Sequence, residues 1–207
     1  MFIPASNSSG FFDRTSVEVA PDLLGARLTR HSALGDITLR ITEVEAYLGV
    51  GEDPGSHSFR GMTARNAVMF GPPLRLYTYF TYGMHVCANI VCSPEGQASA
   101  VLLRAGEIVE GVELARVHRG ENVALRDLAR GPARLTKAMG IPLSDGGAEV
   151  VGDVYSLELS DAVHDIDTSV RTGVSGPGGL AAYPWRFFIT GDPTVSPYRA
   201  SVPRKRS

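Results

Sequence analysis

Ile37, Leu39 and Ile41 alternate with Thr38, Arg40 and Thr42, and a period of two over that length fits a β-strand with one face packed on a core. Carried on strictly, the alternation puts Glu43, Glu45 and Tyr47 on the same face as Ile41. Two acids on an inward face are costly unless paired or hydrogen-bonded. Either a polar site closes the strand, or its inward face has already reached solvent at Glu43. Paired carboxylates suit glycosidic chemistry, because a cation-like transition state needs a base for water and negative charge nearby. Spacing alone leaves open whether Glu43 or Glu45 would act.

The other elements follow from turn and periodicity signals. Residues 1–12, with Asn7-Ser8-Ser9-Gly10, read as an adapting N-terminus, and Pro21-Asp22-Leu23-Leu24 in the apolar stretch 17–28 predicts a helix start. Residues 49–66 hold five Gly or Pro residues and form an irregular loop around His57. Residues 74–80 and 84–92 are rich in aromatic and β-branched residues, and Tyr82-Gly83 between them gives a β-hairpin. A strand at 98–105 follows, then helices at 109–119 and 132–139, the second opening on Pro132 and closing on Gly140. The segment 144–170 is irregular apart from a short strand at 154–159, and 185–190 is a last strand.

At 207 residues and 43% hydrophobic, the chain supports one sizeable core, so residues 1–200 are expected to form one domain and 201–207 a basic tail. No apolar run approaches the roughly 20 residues that span a bilayer. The N-terminus lacks a signal-peptide pattern, so no membrane association is expected. The expected location is the cytoplasm, at the nucleoid of a bacterium, or the nucleus of a eukaryote. Cys87 and Cys92 have neither a partner pair nor zinc-ligand spacing and read as core residues. A net charge of −2 argues against a polyanionic partner, but it is unevenly spread: −4 over residues 1–53, +4 over 54–143, −7 over 144–170 and +5 over 171–207. Phosphate contacts need only local positive charge, since the Debye length is about 8 Å at physiological salt.

Several side chains then stand out. Tyr77 and Tyr79 share one strand face, Phe80 and Tyr82 the other; such rings are either core or a stack for a flipped base. Tyr82, beside Gly83, sits at a turn where a ring is poorly buried and could fill the gap left in a duplex. His57 is a surface residue or a catalytic one, and Arg104 ends an apolar run as a surface charge or an anion anchor. Arg60, Arg65, Arg134, Lys137 and Arg171 are candidates for DNA-backbone contacts, with solvated charges as the alternative.

Taken in order, these residues resemble the alkyladenine, or 3-methyladenine, DNA glycosylase family. The resemblance is carried by Thr42-Glu43-Val44-Glu45-Ala46-Tyr47-Leu48-Gly49, His57-Ser58, Arg65-Asn66, Met69-Phe70, Leu76-Tyr77-Thr78-Tyr79, Tyr82-Gly83-Met84, Asn89, Val101-Leu102-Leu103-Arg104-Ala105, Gly131-Pro132-Ala133-Arg134-Leu135 and Arg171-Thr172-Gly173-Val174. It implies an α+β fold: a single compact domain with a curved antiparallel β-sheet, flanking helices and a protruding β-hairpin that enters the minor groove. The implied activity is monofunctional excision of alkylated purines such as 3-methyladenine from double-stranded DNA, leaving an abasic site, with hypoxanthine as a further candidate lesion. By resemblance Glu45 is the general base and Arg104 helps hold the water and backbone. Tyr47, His57, Tyr79 and Asn89 form the base pocket, with Asn89 screening out guanine, and Tyr82 is the intercalating wedge. A cationic base stacked on these rings gains a cation–π contribution and is already a good leaving group. With no Lys placed as nucleophile, neither a Schiff base nor strand cleavage is expected, and no cofactor or metal is needed. The expected state is a monomer. Two other readings stay open: a non-catalytic DNA-binding protein on the same fold, and a hydrolase of free nucleosides or small glycosides using Glu43 and Glu45.

Overall fold

A computed structural model of the chain describes residues 2–4, 10–81 and 83–201. In chain order the elements are β1 (Phe2–Pro4), α1 (Ser16–Asp22), β2 (Arg27–Arg30), β3 (Ile37–Tyr47), β4 (Leu76–Thr81), β5 (His85–Cys92), β6 (Ser99–Glu110), α2 (Val112–Arg119), β7 (Ala129–Arg130), α3 (Pro132–Met139), β8 (Tyr155–Ser160), β9 (Ile166–Ser169) and β10 (Arg186–Ile189). The strands make one sheet in the order β1-β8-β2-β3-β6-β5-β4, with β10 bridging β3 and β9 and with β7 on β6. Every pairing is antiparallel. This is the α+β single domain that the sequence implies.

Strand β3 is the spine of the sheet. One edge pairs with β6 along nearly its whole length, while the other edge pairs with β2 through residues 37–40 and then with β10 through residues 43–45. The handover coincides with irregular register against β6. Ile41 faces Gly106 and Glu43 faces Ala105, which leaves Thr42 as an extra residue; Val44 then faces Leu103, which leaves Arg104 extra on the other strand. Such bulges bend a strand and change which side a residue faces. The main core accordingly takes Ile37, Leu39 and Ile41, then Val44 and Ala46. Strict alternation therefore fails at Thr42, and Glu43, Glu45 and Tyr47 lie on the face opposite Ile41.

The two faces are covered differently. Helix α1 packs on β3 and β6, and α3 on β5, β6 and β7, over the main core. On the other face Tyr77, Val91 and Ala100 pack against Met69 and Phe70 of the long loop that follows β3. Helix α1 begins five residues before the expected start, because Thr15 and Glu18 form a capping box in which Glu18 accepts the Thr15 N–H at 2.9 Å. Pro21 thus lies near its end. Strand β6 runs on to Glu110, and Gly111 at φ 73° ends it, so α2 starts three residues later than expected. The segment 144–170 holds β9 as well as β8, and Phe2–Pro4, within the N-terminus expected to be adapting, pairs with β8. Asn7, Ser8 and Ser9, Tyr82, and the basic tail 202–207 lie outside the described residues. At the tip of the β4–β5 hairpin Phe80 is 50% and Met84 72% exposed.

Candidate active site

Cross-strand partners carry one row of residues over six strands: Ser169, Arg186, Glu45, Leu102, Asn89 and Tyr77 on β9, β10, β3, β6, β5 and β4. Directly opposed residues share a face, so sheet pairing alone brings these distant positions together. Among the described residues the buried carboxylates are Glu43, Glu45 and Asp53, and the buried guanidiniums are Arg104, Arg171 and Arg186. All six meet here. Concentrated buried charge of this kind is a mark of a functional centre, because structure alone rarely justifies its desolvation.

The two glutamates differ in what surrounds them. Glu43 Oε1 accepts from Arg104 Nε at 2.8 Å, Arg186 Nε at 2.7 Å and Ser196 Oγ at 3.0 Å, and Oε2 accepts from the Ser196 N–H at 2.7 Å. Burial pushes its pKa up, but Arg104, Arg186 and these hydrogen bonds outweigh that and hold it below the ordinary value. Glu45 Oε1 accepts from the Thr172 N–H at 2.6 Å and lies 3.2 Å from Arg104 NH1, while among the described residues Oε2 accepts only from the Tyr47 hydroxyl, at 2.8 Å. Neither acid is solvent-exposed, so β3 does not end as an open edge. Arg104 is 6% exposed and joins the two carboxylates; it is an anion anchor, not a surface charge.

Around Glu45 stand the aromatic residues. The Tyr47 phenol is pushed well above its ordinary pKa by burial and by Glu45, so it is a hydrogen-bond donor at neutral pH. His57 meets Tyr79 edge-on with centroids 4.6 Å apart, and its Nδ1 is 2.9 Å from the hydroxyl of buried Tyr77. His57 is exposed as a residue, but desolvation of its ring against the neighbouring tyrosines and then Arg65 lower its pKa below the ordinary value, which favours the neutral ring at pH 7. Asn66 staples the loop: its amide donates to the carbonyls of His57 at 2.9 Å and Gly61 at 3.1 Å. Asn89 is buried in the row and donates to the Tyr77 carbonyl at 2.9 Å.

Of the proposed backbone-contacting cations, Arg60, Arg65, Arg134 and Lys137 are exposed. Arg65 lies over Tyr79 at 5.7 Å from the ring centroid. Arg134 and Lys137 ride on α3, whose Thr136 hydroxyl donates to the Val86 carbonyl of the hairpin at 2.7 Å. Arg171 does not belong with them. It is 1% exposed, forms a two-pronged pair with Asp53 at 2.6 Å and 2.6 Å, and lies over the Tyr47 ring at 4.5 Å. A phosphate cannot reach it. Asp53, Thr172, Arg186 and Ser196 were not singled out as site residues from the sequence. Arg186 had a usable signal, a lone charge within Trp185-Arg186-Phe187-Phe188; Asp53 sits in a loop with no periodicity and had none.

The sequence model of the methylpurine-DNA glycosylase family matches residues 10–193. A protein of Leifsonia xyli subsp. xyli is 59% identical over 192 residues, covering 91% of this chain and 90% of that relative. Proteins of Streptomyces avermitilis and Cutibacterium acnes are 54% identical over 201 residues and 46% identical over 189, covering 95% and 87% of this chain and 93% and 94% of those relatives. All three carry the name "Putative 3-methyladenine DNA glycosylase". The protein is thus a DNA glycosylase, a DNA-repair hydrolase acting on N-glycosyl bonds. It belongs to the methylpurine-DNA glycosylase family.

Proposed function

We propose that the protein flips alkylated purines out of double-stranded DNA and cleaves their N-glycosidic bond with a water activated by Glu45, leaving an abasic site. The observation that carries this reading is the asymmetry of the two acids. Glu43 takes four hydrogen bonds, two of them from the buried guanidiniums of Arg104 and Arg186, whereas among the described residues Glu45 takes two, one on each oxygen, from the Thr172 N–H and the Tyr47 hydroxyl. A carboxylate oxygen with a spare lone pair can take the proton of a water as it attacks the anomeric carbon. Arg104 NH1 lies 3.2 Å from Glu45 Oε1, Glu43 fixes Arg104, and negative charge at Glu45 favours the cation-like transition state.

The flipped base stacks among Tyr47, His57 and Tyr79, with Asn89 at its edge. A neutral His57 accepts a cationic methylpurine without charge repulsion and leaves the ring faces to the cation–π contact. Tyr82, next to Gly83 in the sequence between β4 and β5, fills the gap in the duplex, and Arg60, Arg65, Arg134 and Lys137 meet phosphates on either side. This work needs one copy of the chain. Incubation with methylated duplex DNA tests it: free methylpurine should appear while strands stay intact until alkali is added. Strand cleavage without alkali, or release of base only from free nucleosides, would contradict the proposal.

A further inference from the structure

Arg171 is buried beside Tyr47 and donates four hydrogen bonds. NH1 donates to Asp53 Oδ2 at 2.6 Å and to the Ala46 carbonyl at 3.0 Å; NH2 donates to Asp53 Oδ1 at 2.6 Å and to the Gly178 carbonyl at 2.7 Å. Three separate stretches are joined by this one guanidinium: the end of β3, the loop after it, and the loop between β9 and β10. Asp53 accepts in addition from the N–H groups of Leu48 at 3.2 Å and Gly55 at 2.9 Å, and it is wholly buried.

The packing leaves this knot no slack. A Cβ on Gly55 would come within 2.5 Å of Arg171 NH2, and one on Gly178 within 2.3 Å of the Gly55 nitrogen. Two loops therefore cross at glycines, with the guanidinium held against them. From there two short links lead to the chemistry. The residue after Arg171 is Thr172, whose N–H is the 2.6 Å donor to Glu45 Oε1. The guanidinium itself lies 4.5 Å from the Tyr47 centroid and 5.3 Å from that of Trp185, so it backs one face of the ring whose hydroxyl donates to Glu45 Oε2.

We infer that Asp53 and Arg171 are positioning residues that hold both oxygens of Glu45, one through the Thr172 amide and one through the Tyr47 hydroxyl, in the geometry for base release. The inference rests on the assignment of Glu45 as general base. With Arg171 covering one face of Tyr47, a flipped base would stack on the other. The Asp53 carboxylate neutralises the guanidinium, so a cationic purine meets a ring backed by a paired charge instead of a bare one.

The test compares the wild-type protein with D53N/R171Q, which replaces both charges by neutral amides, Asn matching Asp in shape and Gln being shorter than Arg, and leaves no unpaired charge, and with R171K and E45Q. Methylated duplex is incubated with excess protein and the release of methylpurine is timed; affinity for the same duplex and the melting temperature are measured in parallel. Displacements of an ångström at a reacting group cost on the order of 100-fold in rate. D53N/R171Q should lose about 10- to 100-fold in release rate with duplex affinity within about threefold of wild type, and R171K, which keeps the charge but not the fork, should fall between. Wild-type release by D53N/R171Q, or a loss that follows melting temperature or affinity alone, would overturn the inference while leaving Glu45 untouched. Wild-type release by E45Q would instead remove its premise. Should D53N/R171Q fail to fold, R171K decides the same question by the same readouts.

Discussion

Glu43 and Glu45 stand two residues apart on one strand face, and their partners give them different work. Glu43 holds Arg104 and Arg186 and ties Ser196 to the sheet; its removal leaves two buried guanidiniums short of a partner. Breaking a buried ion pair from one side costs about 3–5 kcal/mol, so Glu43→Gln should lower the melting temperature markedly. The pH dependence has a definite sign. The Glu43 pKa is depressed in the folded state, so its contribution to stability is present above the unfolded value, near 4.5, and is lost as pH falls through the folded value. Denaturant titrations from pH 7 downwards should show Glu43→Gln losing stability less steeply below pH 4.5 than wild type. Parallel curves would mean that the Glu43 pKa is not depressed by folding.

Among the elements, β3 and β6 decide where the site lies. Their paired irregularities at Thr42 and Arg104 turn the acids and the arginine onto the face away from the main core. Gly106 is built into the same stretch: a Cβ there would lie 2.4 Å from the Arg40 carbonyl oxygen. Overpacking of this kind costs about 1–3 kcal/mol, so Gly106→Ala should lower the melting temperature, and an unchanged value would show that the strands can move apart. Helix α3 carries a different test. If Arg134 and Lys137 each meet a phosphate, replacing either by Ala should reduce the slope of log affinity against log salt by about 1, with little change in base release at saturating protein. An unchanged slope would make them ordinary surface charges.

Over the whole molecule, local signals were legible and shifts of register were not. The hairpin, α3 with its Pro132 and Gly140, the turn-rich loop and the family motifs were all readable, because each depends on neighbouring residues. The side of β3 that bears Glu43 and Glu45 was not, since a bulge at Thr42 arises from pairing with a strand some 60 residues away. Arg171 was misread for a similar reason: its counter-charge, Asp53, is 118 positions distant. Burial of all six charged groups on one sheet face is a property of the assembled fold, and so is the difference between the two acids. The assignment of Glu45 as base is tested most directly by single-turnover release of methylpurine from methylated duplex by Glu45→Gln. Glu45→Gln should lose about 100- to 10,000-fold in release rate, the usual reach of general-base catalysis, with duplex affinity retained. Release at the wild-type rate would contradict the assignment.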